Sequence, residues 1–287
     1  MTFIQILILA AVQGAAELLP VSSSAHVIVA EKLMGLDPTA PEMTLLLVML
    51  HTGTMFAVIC YFWKAWRASF FASRQQFTEA FKQIMLATVM TGVVGLALKA
   101  LIERFALGNV PHAEIELLFG NLGLISAALA AVGILIIIAG LRGKGSAESN
   151  DLGAGESILI GIVQGLCLPF RGFSRSGATI SVGLLLGVAR VRAEEFSFAL
   201  AVVLTPPVIA REVMRLLKAH AFTPSVQGTP LLALFIPSMV GMVFSFLAGF
   251  LALRWLSSWL ERGRWQFFGY YCLAAALFVF VCYRLGI

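Results

Sequence analysis

The chain has 287 residues, of which 60% are hydrophobic and only 12% charged, with a mean hydropathy of +0.93. That balance excludes a soluble domain of this size and marks an integral membrane protein. The net charge of +5 comes largely from basic residues between apolar segments, as in cytoplasmic membrane loops, so it argues against nucleic acid as a partner.

In chain order, the first region is 1–36, apolar from Phe3 to Leu19 and without the basic start of a signal peptide, so it reads as structure rather than a cleaved leader. Pro20 divides it into two halves, each too short to cross a bilayer alone. A spanning helix needs about 20 apolar residues. Three segments meet that need next, at 43–63, 83–102 and 117–141, followed by a Gly/Ser-rich polar linker over 142–155. Region 156–188 is then apolar but broken by Pro169 and Gly172, and three further spans follow at 196–217, 231–253 and 266–284. Broken backbone is tolerated at membrane depth only inside protein or around a water-filled cavity. The two broken regions are therefore predicted to be re-entrant helical hairpins with polar tips near the midplane. The span after each hairpin follows an acidic residue, Glu42 or Glu195, and carries an expected mid-span breaker at Thr52-Gly53 or Thr205-Pro206-Pro207. Cys60, Cys167, Cys272 and Cys282 lack metal or disulfide spacing and read as small buried residues.

The two broken regions are copies. At an offset of 152, Ser22, Ser24, Ile28, Leu33 and Gly35 match Ser174, Ser176, Ile180, Leu185 and Gly187, and Val12-Gln13-Gly14 matches Val163-Gln164-Gly165 one residue out of that register. Residues 1–141 and 156–287 thus form two repeats, each a hairpin plus three spans. Three is odd, so the second copy enters the membrane inverted. The predicted fold is an all-α polytopic membrane protein, six transmembrane helices plus two re-entrant hairpins in an inverted-topology repeat, an arrangement that places its site where the halves meet. Lys64, Arg67, Arg74, Lys82, Arg142, Lys144, Arg190, Arg192, Arg254, Arg262 and Arg264 fall on one side; Lys32, Lys99, Arg104, Arg211, Arg215, Lys218 and Arg284 fall on the other. The first side is expected to be cytoplasmic, with both termini outside.

An ionised side chain at membrane depth costs about 2.5 to 3.5 kcal/mol on insertion scales, so Glu17 and Arg175 need a role that offsets it. Gln13 and Glu17 are four apart, on one helix face. A carboxylate beside an amide oxygen suits a hard divalent cation, Mg2+ or Ca2+, whose other positions go to water and phosphate oxygens; the plainer alternative is a polar helix-packing pair. Ser22, Ser23, Ser24 and His26 follow the break at Pro20, where a new helix start offers backbone donors to phosphate. Serines there are also ordinary N-caps, and at least one is expected to do only that. His26 has the range for general acid or base work, shared with Glu17 in one cavity, or is a structural hydrogen-bonder. In the second tip Arg175 lies between Ser174 and Ser176, with Thr179 one turn on, a set matched to phosphate oxygens or, alternatively, an ion pair to Glu17. Arg171 is either a second phosphate ligand or part of the hairpin wall.

Gln13-Gly-Ala-Ala-Glu17, Pro20-Val-Ser-Ser-Ser-Ala-His26 and Phe173-Ser-Arg-Ser-Gly-Ala-Thr179 resemble the motifs of the BacA/UppP family of undecaprenyl diphosphate phosphatases, and the resemblance covers almost the whole chain. It implies a bacterial inner-membrane enzyme that hydrolyses undecaprenyl diphosphate to the monophosphate and phosphate, depends on a divalent metal, and opens to the periplasm. It carries the family's acidic residue onto Glu17, its serine onto Ser23, its histidine onto His26 and its arginine onto Arg175. Three positions depart from the pattern: Gln13 where an acid is common, Ala25 before the histidine, and Pro169-Phe-Arg-Gly172 where Pro-Gly is usual. Implied partners are the polyprenyl diphosphate and membrane lipids, with a homodimer as an option. The rival class is an inverted-repeat transporter or lipid flippase. A PAP2-type phosphatase is disfavoured because no His follows Arg175 before His220, and a metalloprotease because no His-Glu-x-x-His occurs.

The loop charges predict topology. A reporter enzyme active only in the cytoplasm should work when fused near Gln75 and fail when fused at the C-terminus; the reverse pattern would overturn the orientation.

Overall fold

A computed structural model describes residues 1–17, 19–105, 115–142, 152–222, 231–262 and 264–286. Most of the linker predicted at 142–155 therefore lies outside the described residues. Among those described, the chain is all-helical: α1 (Phe3–Glu17), α2 (Ser23–Leu33), α3 (Pro41–Ser69), α4 (Arg74–Phe105), a short 3-10 turn (Ile115–Leu118), α5 (Leu122–Arg142), α6 (Ala154–Cys167), α7 (Arg175–Leu185), α8 (Arg190–Phe222), α9 (Leu231–Arg262) and α10 (Gln266–Arg284).

Six of these, α3, α4, α5, α8, α9 and α10, are long and apolar enough to cross a membrane. The shortest, α10, has 19 residues, about 28 Å at the usual rise, close to the hydrocarbon thickness. The 15 residues of α1 and 14 of α6 fall short of that length. Outer faces are apolar rather than polar: Leu96, Leu251 and Leu277 are each about two-thirds exposed or more. Side chains like these need a hydrocarbon solvent, and the protein is a multi-pass membrane protein.

Each predicted span lies on one of these helices, with one start displaced. α5 begins at Leu122 rather than 117 because the 3-10 turn precedes it and Asn121 Oδ1 accepts the Leu124 N–H at 3.1 Å, capping the helix there. The expected mid-span breakers do not break. α8 runs on through Pro206 and Pro207, whose exposed positions keep both rings on the outside of the bundle. Gly53 lies within an unbroken α3 for a different reason, close helix packing: a Cβ there would collide with the Met242 carbonyl of α9. Cys60 also departs from expectation, facing outward, whereas Cys167, Cys272 and Cys282 are buried.

The short helices pack in pairs, α1 with α2 and α6 with α7, and each pair breaks where the sequence places Pro20 or Pro169. The partners exchange between halves. α1 docks on α9, and its counterpart α6 docks on α4. The duplicated glycines make both contacts close: a Cβ on Gly14 would meet Ala248 Cβ at 2.5 Å, and one on Gly165 would meet Val94 Cβ at 2.8 Å. α3 packs on α8 and α5 on α10, which joins the halves along two further seams. One buried cluster surrounds the second pair (Ile136, Ile160, Phe196, Leu200) and another the first (Leu9, Ile28, Leu50, Ile125), leaving the two breaks facing one another.

Because Gly53 sits against backbone that cannot rotate away, Gly53→Ala should force α3 and α9 apart. Overpacking of this kind costs about 1 to 3 kcal/mol, so the variant should lose monodispersity in detergent at a lower temperature than wild type. Gly92→Ala, with nothing near its Cβ, should melt like wild type. Equal melting of the two would show that the seam yields.

Candidate active site

α1 ends at Glu17 because Pro20 lacks an N–H and disfavours helix in the residue before it. The chain then turns through Ser22, whose φ of 66° is the one positive value at a non-glycine among the described residues, and α2 starts at Ser23. The last turn of α1 places Gln13 and Glu17 on one buried face. Gln13 Nε2 donates to Glu17 Oε2 at 2.7 Å and lies 3.4 Å from Thr54 Oγ1 of α3, while Gln13 Oε1 is buried without a partner. Ser23 Oγ donates to the same Glu17 oxygen at 2.5 Å.

In the second tip Ser174 caps α7, its Oγ accepting the Gly177 N–H at 3.1 Å. Helix α7 therefore begins at Arg175 and points that residue at the first tip. Arg175 Nη2 reaches Glu17 Oε1 at 3.4 Å, and Nη1 donates to the Ser197 carbonyl of α8 at 3.1 Å. Thr179 Oγ1 lies 2.7 Å from Ser197 Oγ and donates to the Arg175 carbonyl at 2.8 Å, tying α7 to α8 behind the guanidinium. Ser174 and Ser176 hydroxyls are 3.5 Å apart. No comparable side-chain cap exists at Ser22, so the expectation that one of Ser22, Ser23 and Ser24 serves only as an N-cap is not met: Ser22 faces Ser24 at 3.4 Å instead.

Both tips open on one cavity of about 180 Å³ lined by Glu17, Ser22, Ser23, Ser24, Arg171, Ser174, Arg175 and Ser176. Apolar side chains, among them Val48, Met55, Leu204 and Val208 from α3 and α8, make up most of the remaining wall, which also holds His51 and Thr205.

The histidine at this cavity is His51, from the middle of α3, and not His26. His51 Nε2 lies 3.3 Å from Ser23 Oγ and 3.4 Å from Glu17 Oε2. Its Nδ1 is 2.8 Å from the Leu47 carbonyl, which only accepts, so Nδ1 carries a proton and the Nε2 lone pair faces Ser23 in the neutral ring. His26, expected in one cavity with Glu17, is turned the other way. Its Nδ1 donates to the Ser22 carbonyl at 2.8 Å, and its Nε2 lies 2.8 Å from the Tyr271 hydroxyl, with the two rings stacked. The helix geometry explains the difference: Ser23 and His26 are separated by three residues, but the αL turn at Ser22 directs Ser23 to Glu17 and leaves the next turn facing α10. His51 carries no motif. The signal that could have found it is the one used for Glu17, an ionisable group in the middle of an apolar span.

The hydrolase reading needs an anion-binding site within a membrane protein, and comparisons with known proteins agree. The family model described as Bacitracin resistance protein BacA matches residues 6–278. A protein of Acinetobacter baylyi named undecaprenyl-diphosphatase 2 is 59% identical over 274 residues, covering 96% of this chain and 95% of that one. Undecaprenyl-diphosphatase 1 of Burkholderia pseudomallei is 33% identical over 283 residues, covering 94% and 93%. With the match running nearly end to end and the paired motifs meeting in one cavity, this chain belongs to the BacA family.

Proposed function

We propose that this protein hydrolyses undecaprenyl diphosphate to undecaprenyl phosphate and inorganic phosphate in the bacterial inner membrane. That activity returns the lipid carrier to cell-wall synthesis and confers bacitracin resistance. One observation carries the reading: a buried carboxylate, Glu17, held jointly by Ser23, His51 and Arg175 in a cavity formed by both tips. The loop charges support a site open to the periplasm, and the exchanged packing of α1 and α6 supports two re-entrant hairpins in an inverted-topology repeat.

The cavity at the two tips is about 180 Å³. It fits a phosphate headgroup and not a long prenyl chain, which runs along the apolar wall at Val48, Leu204 and Val208 into lipid. Arg175 and the Ser174 to Ser176 backbone neutralise charge growing on the transferred phosphoryl group, the electrostatic work that dominates phosphoryl transfer. Glu17 orients Ser23 and His51. Ser23 Oγ lines the cavity with its proton directed at Glu17 Oε2 and with His51 Nε2 at 3.3 Å. Once that proton turns to His51, Oγ attacks the terminal phosphorus, the bond to the bridging oxygen breaks with its electron pair leaving on undecaprenyl phosphate, and water then cleaves the phosphoserine to release inorganic phosphate.

A divalent cation, Mg2+ or Ca2+, remains part of the proposal. The Glu17 carboxylate would hold it from the cavity wall; Gln13, which turns its Nε2 to Glu17 and does not line the cavity, would join as a ligand only with its amide turned over to bring the partnerless Oε1 alongside. Among the described residues no group of three or more His, Cys, Asp or Glu could bind a metal, so water and diphosphate oxygens must complete the shell. Bound there, a cation would supply charge neutralisation for the diphosphate.

Phosphate release from undecaprenyl diphosphate by the purified protein, with and without chelator, tests the reading; a lipid carrier would release none. Glu17→Gln should abolish release. Arg175→Lys keeps the charge but loses the planar fork, and should fall on the order of a hundredfold to a thousandfold. Arg175→Lys with near wild-type turnover would remove the guanidinium from the chemistry.

The two histidines separate on the same assay. His51→Ala should lose about a hundredfold or more, as expected for a proton acceptor. His26→Ala acts only through the Ser22 turn, so its loss should be smaller and partly relieved by His26→Asn, which keeps a short donor to the Ser22 carbonyl. Equal losses would return His26 to the chemistry.

A further inference from the structure

Ser22 is a non-glycine residue in the left-handed region, with φ 66° and ψ 82°. An L side chain is strained there, so the conformation persists only where its surroundings hold it. Its own hydroxyl gives little support: Ser22 Oγ lies 3.4 Å from Ser24 Oγ and caps nothing. The hold is on its carbonyl. The His26 backbone N–H reaches that oxygen at 3.4 Å, a long bond, and the His26 ring adds a second from Nδ1 at 2.8 Å.

That ring is fixed in turn from the other half of the chain. Because Nδ1 carries the proton given to the Ser22 carbonyl, Nε2 of the neutral ring is an acceptor, and the Tyr271 hydroxyl donates to it at 2.8 Å. The two rings lie within 14° of parallel, with centroids 5.7 Å apart. The tyrosine and the Ser22 carbonyl together therefore fix the plane and the tautomer of the imidazole. Tyr271 is on α10, and its neighbour Cys272 directs its thiol at the Pro20 carbonyl at 3.7 Å, at the other end of the same turn. The same helix also holds the second hairpin, since Trp265, which precedes α10, donates its Nε1–H to Ser181 Oγ of α7 at 2.9 Å. The turn before Ser23 and the helix that carries Arg175 are thus both gripped from the α10 segment.

We propose that Tyr271 is a positioning residue for hydrolysis: through His26 it holds the left-handed turn at Ser22, and that turn keeps Ser23 Oγ on Glu17 Oε2 and beside His51 Nε2. The assignment rests on the hydrolase reading above. Tyr271 does not line the cavity, so it acts without touching substrate. Arg175 is anchored apart from this line of contacts, by Glu17 and by the Ser197 carbonyl. A loosened turn therefore misaligns the attacking oxygen while the phosphate ligand stays in place, which lowers kcat more than it raises KM. A hydrogen bond that only satisfied two polar groups on the outer face of the bundle would make no such distinction.

Turnover of undecaprenyl diphosphate by the full-length protein in detergent tests the assignment. Tyr271→Phe keeps the ring and removes the hydroxyl; its kcat should fall on the order of threefold to tenfold, the usual worth of one hydrogen bond, with KM near wild type. In a His26→Ala background Tyr271→Phe should cost nothing further, because its route to the turn is gone. Glycine takes the left-handed conformation without support, so the loss from Tyr271→Phe, measured against Ser22→Gly alone, should shrink. Tyr271→Met, which also lacks the hydroxyl, gives a second reading should Tyr271→Phe misfold, with folding checked by size exclusion in detergent. Full kcat in Tyr271→Phe, a loss that adds to that of His26→Ala, or a loss unchanged in Ser22→Gly would each overturn the assignment. A wild type that releases no phosphate would instead overturn the hydrolase reading, and the same double-mutant comparison read by melting temperature would still decide whether Tyr271 acts through His26.

Discussion

The Glu17 carboxylate is the constraint around which the rest is arranged. It is buried, and polar side-chain atoms converge on it from four helices: Gln13 of α1, Ser23 of α2, His51 of α3 and Arg175 of α7. A charge at this depth is costly unless paired, and removing one partner of a buried pair typically costs about 3 to 5 kcal/mol. Two tips separated by most of the sequence are therefore tied by the same contact that builds the site. The crossed docking of α1 on α9 and α6 on α4 supplies the rigid frame that keeps them in register.

The duplicated tips divide the chemistry between them. At the offset that aligns the two copies, Ser23 corresponds to Arg175, and one residue out of register Glu17 corresponds to Leu168. The first tip carries a carboxylate and a hydroxyl, the second a guanidinium, at positions that this alignment matches. What both retain is packing: Gln13 and Gln164 are each fully buried and bond a threonine hydroxyl on the neighbouring span, Thr54 or Thr91. Gly35 and Gly187 both follow the second short helix of their pair, α2 or α7, at positive φ. The two tips thus share packing contacts and differ in charge, Glu17 at one and Arg175 at the other, and these meet at 3.4 Å.

Length, breaks and charged residues at depth are local properties, so the six long helices, both breaks and the meeting of Glu17, Ser23 and Arg175 were legible in the sequence. Three things depended on contacts between segments far apart. Gly53 looked like a helix breaker because the carbonyl of Met242 that requires a small residue there is almost two hundred positions away. Pro206 and Pro207 looked disruptive because nothing in the sequence says that both rings face outward from the bundle. The placement of His26 and His51 was hidden for the same reason. The motif places His26 near Ser23 along the chain, but a single αL residue, Ser22, rotates the helix start so that Tyr271 receives His26, and the packing of α3 brings His51 to the carboxylate.

The distances around Glu17 also indicate how the resting site opens. Its contacts to Gln13 and Ser23, at 2.7 and 2.5 Å, are within the range of strong hydrogen bonds, whereas the Arg175 nitrogen at 3.4 Å is beyond the roughly 2.7 to 2.9 Å of a good charge-assisted one. The other arm of Arg175 is anchored to the Ser197 carbonyl at 3.1 Å, and Thr179 braces the backbone behind it. Under the proposed function, a phosphate approaching from the cavity would compete for this Arg175 nitrogen, so that Arg175 would change partners through one arm while its anchor stays in place. The proposed exchange would leave the two shortest contacts of Glu17, to Gln13 and Ser23, in place.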